Sequence, residues 1–238
     1  MRPLDTTAKR GGPAGRAIFA IPVAVLLLSS CAQPPPLLVP PAGSVDAAEG
    51  FGQAAVESEV AVIKGKFSFL FRRPGRGRVE ALDPLARTMY YIIFAEERAF
   101  LVLPSKKVYV EDSPEVLMEH FLGLALLPDD ILDLLSGRWG EAGPRGLRQD
   151  VWQVEKDPQG RVIRAMKPSL SCTVQEFFKK SGVPRRVAFS ASGTSGRMKV
   201  LSIRFNPPPR PAAFETPFLA AYTRKSWSEI QESLKDDR

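Results

Sequence analysis

The sequence predicts an α+β domain that is mainly β, a broad antiparallel sheet with helices inserted between its two halves. Three observations predict it. Short runs of alternating apolar residues, punctuated by turn residues such as Pro74-Gly75 and Asp157-Pro158-Gln159-Gly160, occur on both sides of the middle of the chain. Two helix starts, Ser113-Pro114-Glu115 and Pro128-Asp129-Asp130, stand between these groups. The first 49 residues instead hold a basic stretch, a brief apolar run and a proline-rich tract, so the domain begins after them.

The N-terminal stretch has the order of an export signal. Arg2, Lys9, Arg10 and Arg16 precede an apolar run from Ala17 to Leu28 that only Pro22 interrupts. That run is shorter than the ~20 residues a spanning helix needs, and it ends in small residues. Those residues read Leu28-Ser29-Ser30-Cys31, which resembles the bacterial lipobox, in which diacylglycerol is attached to the cysteine before cleavage in front of it. The resemblance makes Met1 to Ser30 a lipoprotein signal peptide and Cys31 the lipid anchor. Residues 31–49 follow as lipidated cysteine and tether, since Pro34-Pro35-Pro36 and Pro40-Pro41 favour an extended chain. Residues 50–238 form one domain, with no internal repeat or second long linker. The residue after the cysteine is Ala32 and not Asp, so the expected location is the outer membrane, anchored and facing the periplasm.

Charge narrows the partners. The chain carries +7, and removal of Met1–Ser30, with four basic residues and one acidic one, leaves +4. Basic residues are scattered in pairs such as Arg72-Arg73 and Lys106-Lys107, which together with export argues against a nucleic-acid partner. They read first as solvated strand ends; facing an anionic membrane surface is a secondary role, at about 1 kcal/mol at best for each charge close to it.

Along the domain, Ala54 to Ile63 places Ala55, Val56, Glu59, Val60 and Ile63 at helical spacing and predicts a first amphipathic helix. Lys64 to Phe71 is a strand with Phe67, Phe69 and Phe71 on one face, and Pro74-Gly75 turns it into Arg76 to Asp83. Thr88 to Phe94, Ala99 to Leu103 and Lys107 to Glu111 are further strands. The run from Thr88 is apolar on both faces, Met89, Tyr91 and Ile93 on one and Tyr90, Ile92 and Phe94 on the other, so helices or a greasy ligand must cover the face that antiparallel sheets usually wet. The helices follow at once. Ser113 caps the first, whose stripe is Leu117, Phe121 and Leu124; the second carries Ile131, Leu134 and Leu135 and stops at Gly137. Strands return at Val151–Lys156, Arg161–Met166, Ser171–Phe178, Arg185–Ser192 and Lys199–Phe205, and Lys225 to Lys235 predicts a short terminal helix.

From Gly65 to Trp139 the chain resembles the LolA/LolB family of bacterial lipoprotein carriers, in particular its membrane-anchored LolB-type acceptors. The features that carry the resemblance are Gly65-Lys66-Phe67-Ser68, the strand and loop Arg78-Val79-Glu80-Ala81-Leu82-Asp83-Pro84-Leu85, the strand end Leu103-Pro104, the helix end Phe121-Leu122-Gly123-Leu124 and the segment from Asp130 to Trp139. The resemblance implies an unclosed antiparallel half-barrel covered by the inserted helices, with an apolar interior that shelters the acyl chains of a lipoprotein. Burying one CH₂ gives about 0.8 kcal/mol, so a ~15-carbon chain left in water costs on the order of 12 kcal/mol. On this reading the cavity is lined by Phe67, Phe69, Tyr91, Ile93, Leu101, Leu103, Phe121 and Leu134. It also implies a leucine on a protruding loop that enters the membrane, a role that falls to Leu85; simple packing of Leu85 at a turn stands beside it as an equal reading.

Function is therefore expected to be binding and transfer without bond making: an acceptor of acylated lipoprotein, served by a soluble LolA-like carrier, that assists lipoprotein localisation. A lipid or glycolipid binder, or a sensor of such ligands, in envelope assembly is the alternative. An enzyme is not expected. The sole histidine, His120, lies beside Glu119 on a helix surface without companions at metal spacing, so neither metal nor cofactor is expected. Gly193-Thr194-Ser195-Gly196 reads as a hairpin loop and not as a nucleophile elbow, and Cys172 as a buried inert thiol in a strand.

Overall fold

A computed structural model describes residues 38–39, 43–58, 62–124, 126–139 and 152–235. The signal peptide, Cys31 and most of the tether lie outside the described residues. Among the described residues thirteen strands run β1 (Leu38–Val39), β2 (Ala47–Ser58), β3 (Val62–Arg72), β4 (Arg76–Leu82), β5 (Thr88–Ala95), β6 (Arg98–Leu103), β7 (Val108–Asp112), β8 (Gln153–Lys156), β9 (Val162–Lys167), β10 (Leu170–Phe177), β11 (Pro184–Ala191), β12 (Thr194–Phe205) and β13 (Thr223–Arg224). Helices α1 (Pro114–Leu122) and α2 (Pro128–Ser136) fall between β7 and β8, and α3 (Trp227–Lys235) ends the described chain.

The strands form one sheet in the order β13-β7-β6-β5-β4-β3-β2-β12-β11-β10-β9-β8, with β1 alongside β12. Neighbours are antiparallel except for the short pairs β1 with β12 and β13 with β7. Among the described residues the two ends of this order do not pair with each other, so the sheet is an unclosed half-barrel.

The expected helix over Ala54–Ile63 is replaced by two long strands: β2 pairs with β3 from Ala47 opposite Arg72 to Glu57 opposite Val62. The cause is visible in the residues. The inward positions of β2 are Ala48, Gly50, Gly52, Ala54 and Val56, too small to make the alternation stand out, while the cluster Ala54-Ala55-Val56 imitates a helical stripe. The fold also starts earlier than Gly50, because Val45, Ala47 and Ala48 are buried.

Small residues on β2 accommodate large rings from β3. A Cβ on Gly52 would lie 2.6 Å from the Phe67 ring, and one on Gly77 would lie 2.7 Å from Phe71 and 2.9 Å from Phe94. Phenyl rings lying over strand glycines let the sheet curve while keeping its inner face apolar. Gly77→Val is accordingly expected to destabilise by about 1–3 kcal/mol through overpacking, seen as a lower melting temperature in calorimetry.

Both faces of the β5–β6 region are buried, as its composition requires. On the inner side Ile92, Phe94, Leu101 and Leu103 meet Leu117 and Phe121 of α1 and Leu132, Leu134 and Leu135 of α2. On the outer side Tyr91, Ile93, Phe100 and Val102 meet Leu219, with Phe218 and Tyr222 packed against them, from the 3₁₀ turn Pro217–Ala221 and the residue after it. The stretch after Asn206, expected only to end the sheet, thus covers its back.

Helix α1 begins as expected: Ser113 accepts from the Val116 N–H at 3.3 Å with Pro114 in the first turn. Gly137, with φ 73°, stops α2. Three carboxylates, two of them buried, fix α2 to the sheet. Asp133, 1% exposed, pairs with Arg73 of the β3–β4 turn, and Asp129 accepts from the Gly75 N–H at 3.1 Å. On the other half of the sheet Lys167 reaches Asp130 at 2.9 Å.

A candidate apolar cavity and its mouth

Between the concave face of the sheet and the helices lies a cavity of about 600 Å³. Its size falls in the range of about 300–1,000 Å³ usual for small-molecule sites. The floor comes from β3, β4 and β5 through cross-strand sets that hairpin register puts in phase. Phe67 stands opposite Ala81, which stands opposite Tyr90; Phe69 leads through Val79 to Ile92; Phe71 leads through Gly77 to Phe94. The roof is Phe121, Leu122 and Leu124 with Ile131, Leu134 and Leu135. Polar lining residues are few: Lys64, Lys66, His120 and Gln231. Tyr90 sets its ring edge-on to Phe121 with centroids 5.1 Å apart, and burial pushes its hydroxyl up to about 12, so it stays neutral.

Of the eight expected lining residues, Phe67, Phe69, Leu103, Phe121 and Leu134 border the cavity. Leu101 lies in the same inner core without reaching it. Tyr91 and Ile93 are on the opposite face and belong to the outer cluster, a correction to the expected set. The inward residues of β5 are Tyr90, Ile92 and Phe94, which the pairing of β4 with β5 puts in phase with the three phenylalanines of β3. Met89 also reaches the cavity, because a bulge between Ala81 and Leu82 leaves it unpaired and moves it to the inner side.

The mouth lies at the end of the half-barrel where β3 and β5 begin and β4 ends. Here the loop Asp83–Arg87 presents Leu85, 74% exposed, with Met89 46% exposed nearby. The loop is held by Asp83, whose Oδ1 accepts from the N–H groups of Leu85 and Arg87, each at 2.8 Å, while its Oδ2 takes the Arg87 guanidinium at 2.6 Å. The Arg87 backbone N–H foremost, and then its guanidinium, hold the Asp83 carboxyl below its ordinary 3.8. A carboxyl with a folded-state value below the unfolded one contributes order above the ordinary value and loses it as pH falls through the lowered one. The Leu85 loop is thus expected to stay ordered at neutral pH and to loosen only in acid below about 3.8, read from the amide shifts of Leu85 and Arg87.

His120 is exposed on α1 and stacks on Trp227 of α3 with centroids 5.0 Å apart, and the Trp227 indole donates to Asp112 at 3.2 Å. Both rings border the cavity, so α3 forms part of its rim. Cys172 is buried, and burial pushes its thiol up to about 12. The segment read as a hairpin loop is shorter than expected: Thr194 to Gly196 belong to β12, and Ser192-Gly193 alone make the turn. Among the described residues no three His, Cys, Asp or Glu side chains gather as a metal site, and no helix is long and apolar enough to cross a membrane.

Fold and cavity together define the class, a lidded antiparallel half-barrel with an apolar interior. No family model matches the chain, and no curated protein does. Solved structures similar to it include a DUF1329 family protein from Desulfovibrio piger, at 11% identity and TM-score 0.49, covering 74% of this chain and 92% of that one. A putative outer membrane lipoprotein-sorting protein domain from Vibrio parahaemolyticus is similar at 10% identity and TM-score 0.48, with coverage of 74% and 92%. A LolA superfamily protein from Nitrosomonas europaea is similar at 12% identity and TM-score 0.49, with coverage of 73% and 91%.

Proposed function

We propose that this chain is a membrane-anchored carrier or acceptor that shelters acyl chains in the half-barrel cavity and assists lipoprotein localisation to the outer membrane. The observation that carries the reading is the cavity itself, about 600 Å³, almost wholly apolar and open at one end. Such a space takes hydrocarbon, at about 0.8 kcal/mol for each CH₂ withdrawn from water, and offers little to a polar ligand. The lipid on Cys31 holds the domain at the bilayer, and a soluble LolA-like carrier delivers the acylated cargo.

Leu85 is the membrane-inserting residue of this reading. Leu85→Asp is expected to leave acyl binding unchanged and to slow delivery of cargo into vesicles about tenfold, since burying one leucine is worth about 1.5–3 kcal/mol. The function is tested by mixing the chain with an acylated lipoprotein and separating complexes by gel filtration. A complex that forms with the acylated protein and not with its unacylated counterpart supports the reading; equal behaviour of the two contradicts it.

A second reading, a phospholipid or glycolipid binder in envelope assembly, is favoured by one observation. Lys64 and Lys66 at the cavity rim suit a headgroup phosphate above buried acyl chains. Transfer to the chain of vesicle phospholipid, with none of the lipoprotein, would select it.

A further inference from the structure

The outer face of the sheet carries a pattern of which only Lys64 and Lys66, at the rim, also border the cavity. Cross-strand register lines up Lys64 of β3, Ala55 of β2, Arg197 of β12, Ala188 of β11, Thr173 of β10 and Arg164 of β9 in one rung. The next rung runs Lys66, Gln53, Lys199 and Arg186 and ends at Glu176. Strands lie about 4.8 Å apart, so Lys64 and Arg197, like Lys66 and Lys199, are separated by roughly 10 Å, and Lys199 directly faces Arg186. Like charges set opposite each other weaken a sheet. Among the described residues only Arg186 of these six cations has an ion-pair partner, Glu176 at 3.5 Å; Lys64, Lys66, Arg164, Arg197 and Lys199 have none. Of the acids on the face only Glu176 stands in these rungs, at a far strand: Glu57 lies beyond the first rung, Glu155 on the far strand β8, and Glu49 and Glu80, farther from the mouth, are already paired, with Arg204 and Arg210 and with Arg78.

The stripe lies at the mouth end. Lys64 is two residues into β3 and Arg197 three into β12, about 7–10 Å from the turns at a rise of about 3.4 Å per residue. Exposed apolar side chains accompany it: Leu85 at the mouth loop, and on β2 Phe51, 52% exposed, two residues from Gln53 on the same face. We propose that this cationic stripe docks the protein on the anionic headgroups of a lipid leaflet, turning the cavity mouth toward the bilayer. The proposal rests on the reading of the mouth as an acyl entrance and adds the surface that orients it. A lipid leaflet fits better than an acidic protein or a polyanion, because it alone offers hydrocarbon to Leu85, Met89 and Phe51 beside the anionic charge.

The test is flotation of the full chain carrying Cys31→Ala, which removes the expected lipid, with phosphatidylethanolamine–phosphatidylglycerol vesicles and with phosphatidylethanolamine–phosphatidylcholine vesicles. The anionic vesicles should hold more protein, and salt should remove the difference. In an Arg197→Gln/Lys199→Gln double variant, binding to anionic vesicles should fall about fivefold per residue, the equivalent of ~1 kcal/mol per cation near the surface. A Lys156→Gln/Lys179→Gln control changes the net charge equally at the opposite end of the sheet and should lose much less. Equal binding to the two vesicle types, or equal loss in both double variants, overturns the proposal. Uptake of a fluorescent fatty acid by the parent chain is read separately, so an empty cavity with intact vesicle docking would refute the carrier reading alone.

Discussion

Gly65→Phe is expected to weaken acyl binding about a hundredfold and to leave the fold intact. Gly65 lies on β3 at the mouth of the cavity, on the inward side shared with Phe67 and Phe69. A Cβ built there meets only the Leu82 carbonyl oxygen, at 3.7 Å, which is an ordinary contact. A phenylalanine side chain therefore has room, but that room is the entrance. A ring excluding about four methylenes of a ligand removes about 3 kcal/mol, on the order of a hundredfold in affinity. Thermal stability should hold or rise, since an aromatic residue suits a strand better than glycine. Fatty-acid displacement titration together with a melting curve checks both parts. Undiminished affinity in a folded variant would mean that ligands do not use this cavity.

Asp133→Ala is expected to cost about 3 kcal/mol, because it leaves the Arg73 guanidinium partly buried with the Val45 carbonyl oxygen and only one carboxylate, Asp129 at 3.8 Å, as partners. For a domain of this size that is a melting temperature lower by roughly 6–12 °C. Replacing the pair together, Arg73→Met with Asp133→Leu, should recover much of the loss, as buried ion pairs exchanged for apolar residues often do. The consequence extends to ligand binding. Ile131, Leu134 and Leu135 of α2 roof the cavity, and the same helix is tied to the far half of the sheet through Lys167 and Asp130. Loosening the Arg73 contact should therefore weaken acyl binding, whereas Gly77→Val strains the sheet beside Phe71 and Phe94.

The two inserted helices were legible because their signals are local. Ser113-Pro114 and Pro128-Asp129-Asp130 start helices through caps and dipole-compatible acids, and Gly137 stops one through its positive φ. The strands from Lys64 to Glu111 were legible from alternation. Strand β2 was not, because its inward residues are alanine and glycine whose smallness makes sense only against the phenylalanines of β3, a contact between strands. The cavity lining was legible in kind and misassigned in face at Tyr91 and Ile93: Phe67 and Phe69 pointed inward as expected, while the phase of β5 depends on pairing and a bulge. The covering of Tyr91 and Ile93 by Phe218, Leu219 and Tyr222 is a contact across more than a hundred residues that no periodicity encodes. The Leu85 loop was half legible, since its aspartate-proline sequence marks a turn, but its exposure needed the structure.

The most direct measurement of the carrier reading is native mass spectrometry of the Cys31→Ala chain, purified from the cell envelope without detergent. The expected spectrum contains protein heavier by one acylated ligand, a mass that organic extraction removes and that Gly65→Phe lacks. Bare protein that also refuses an added long-chain fatty acid would contradict it.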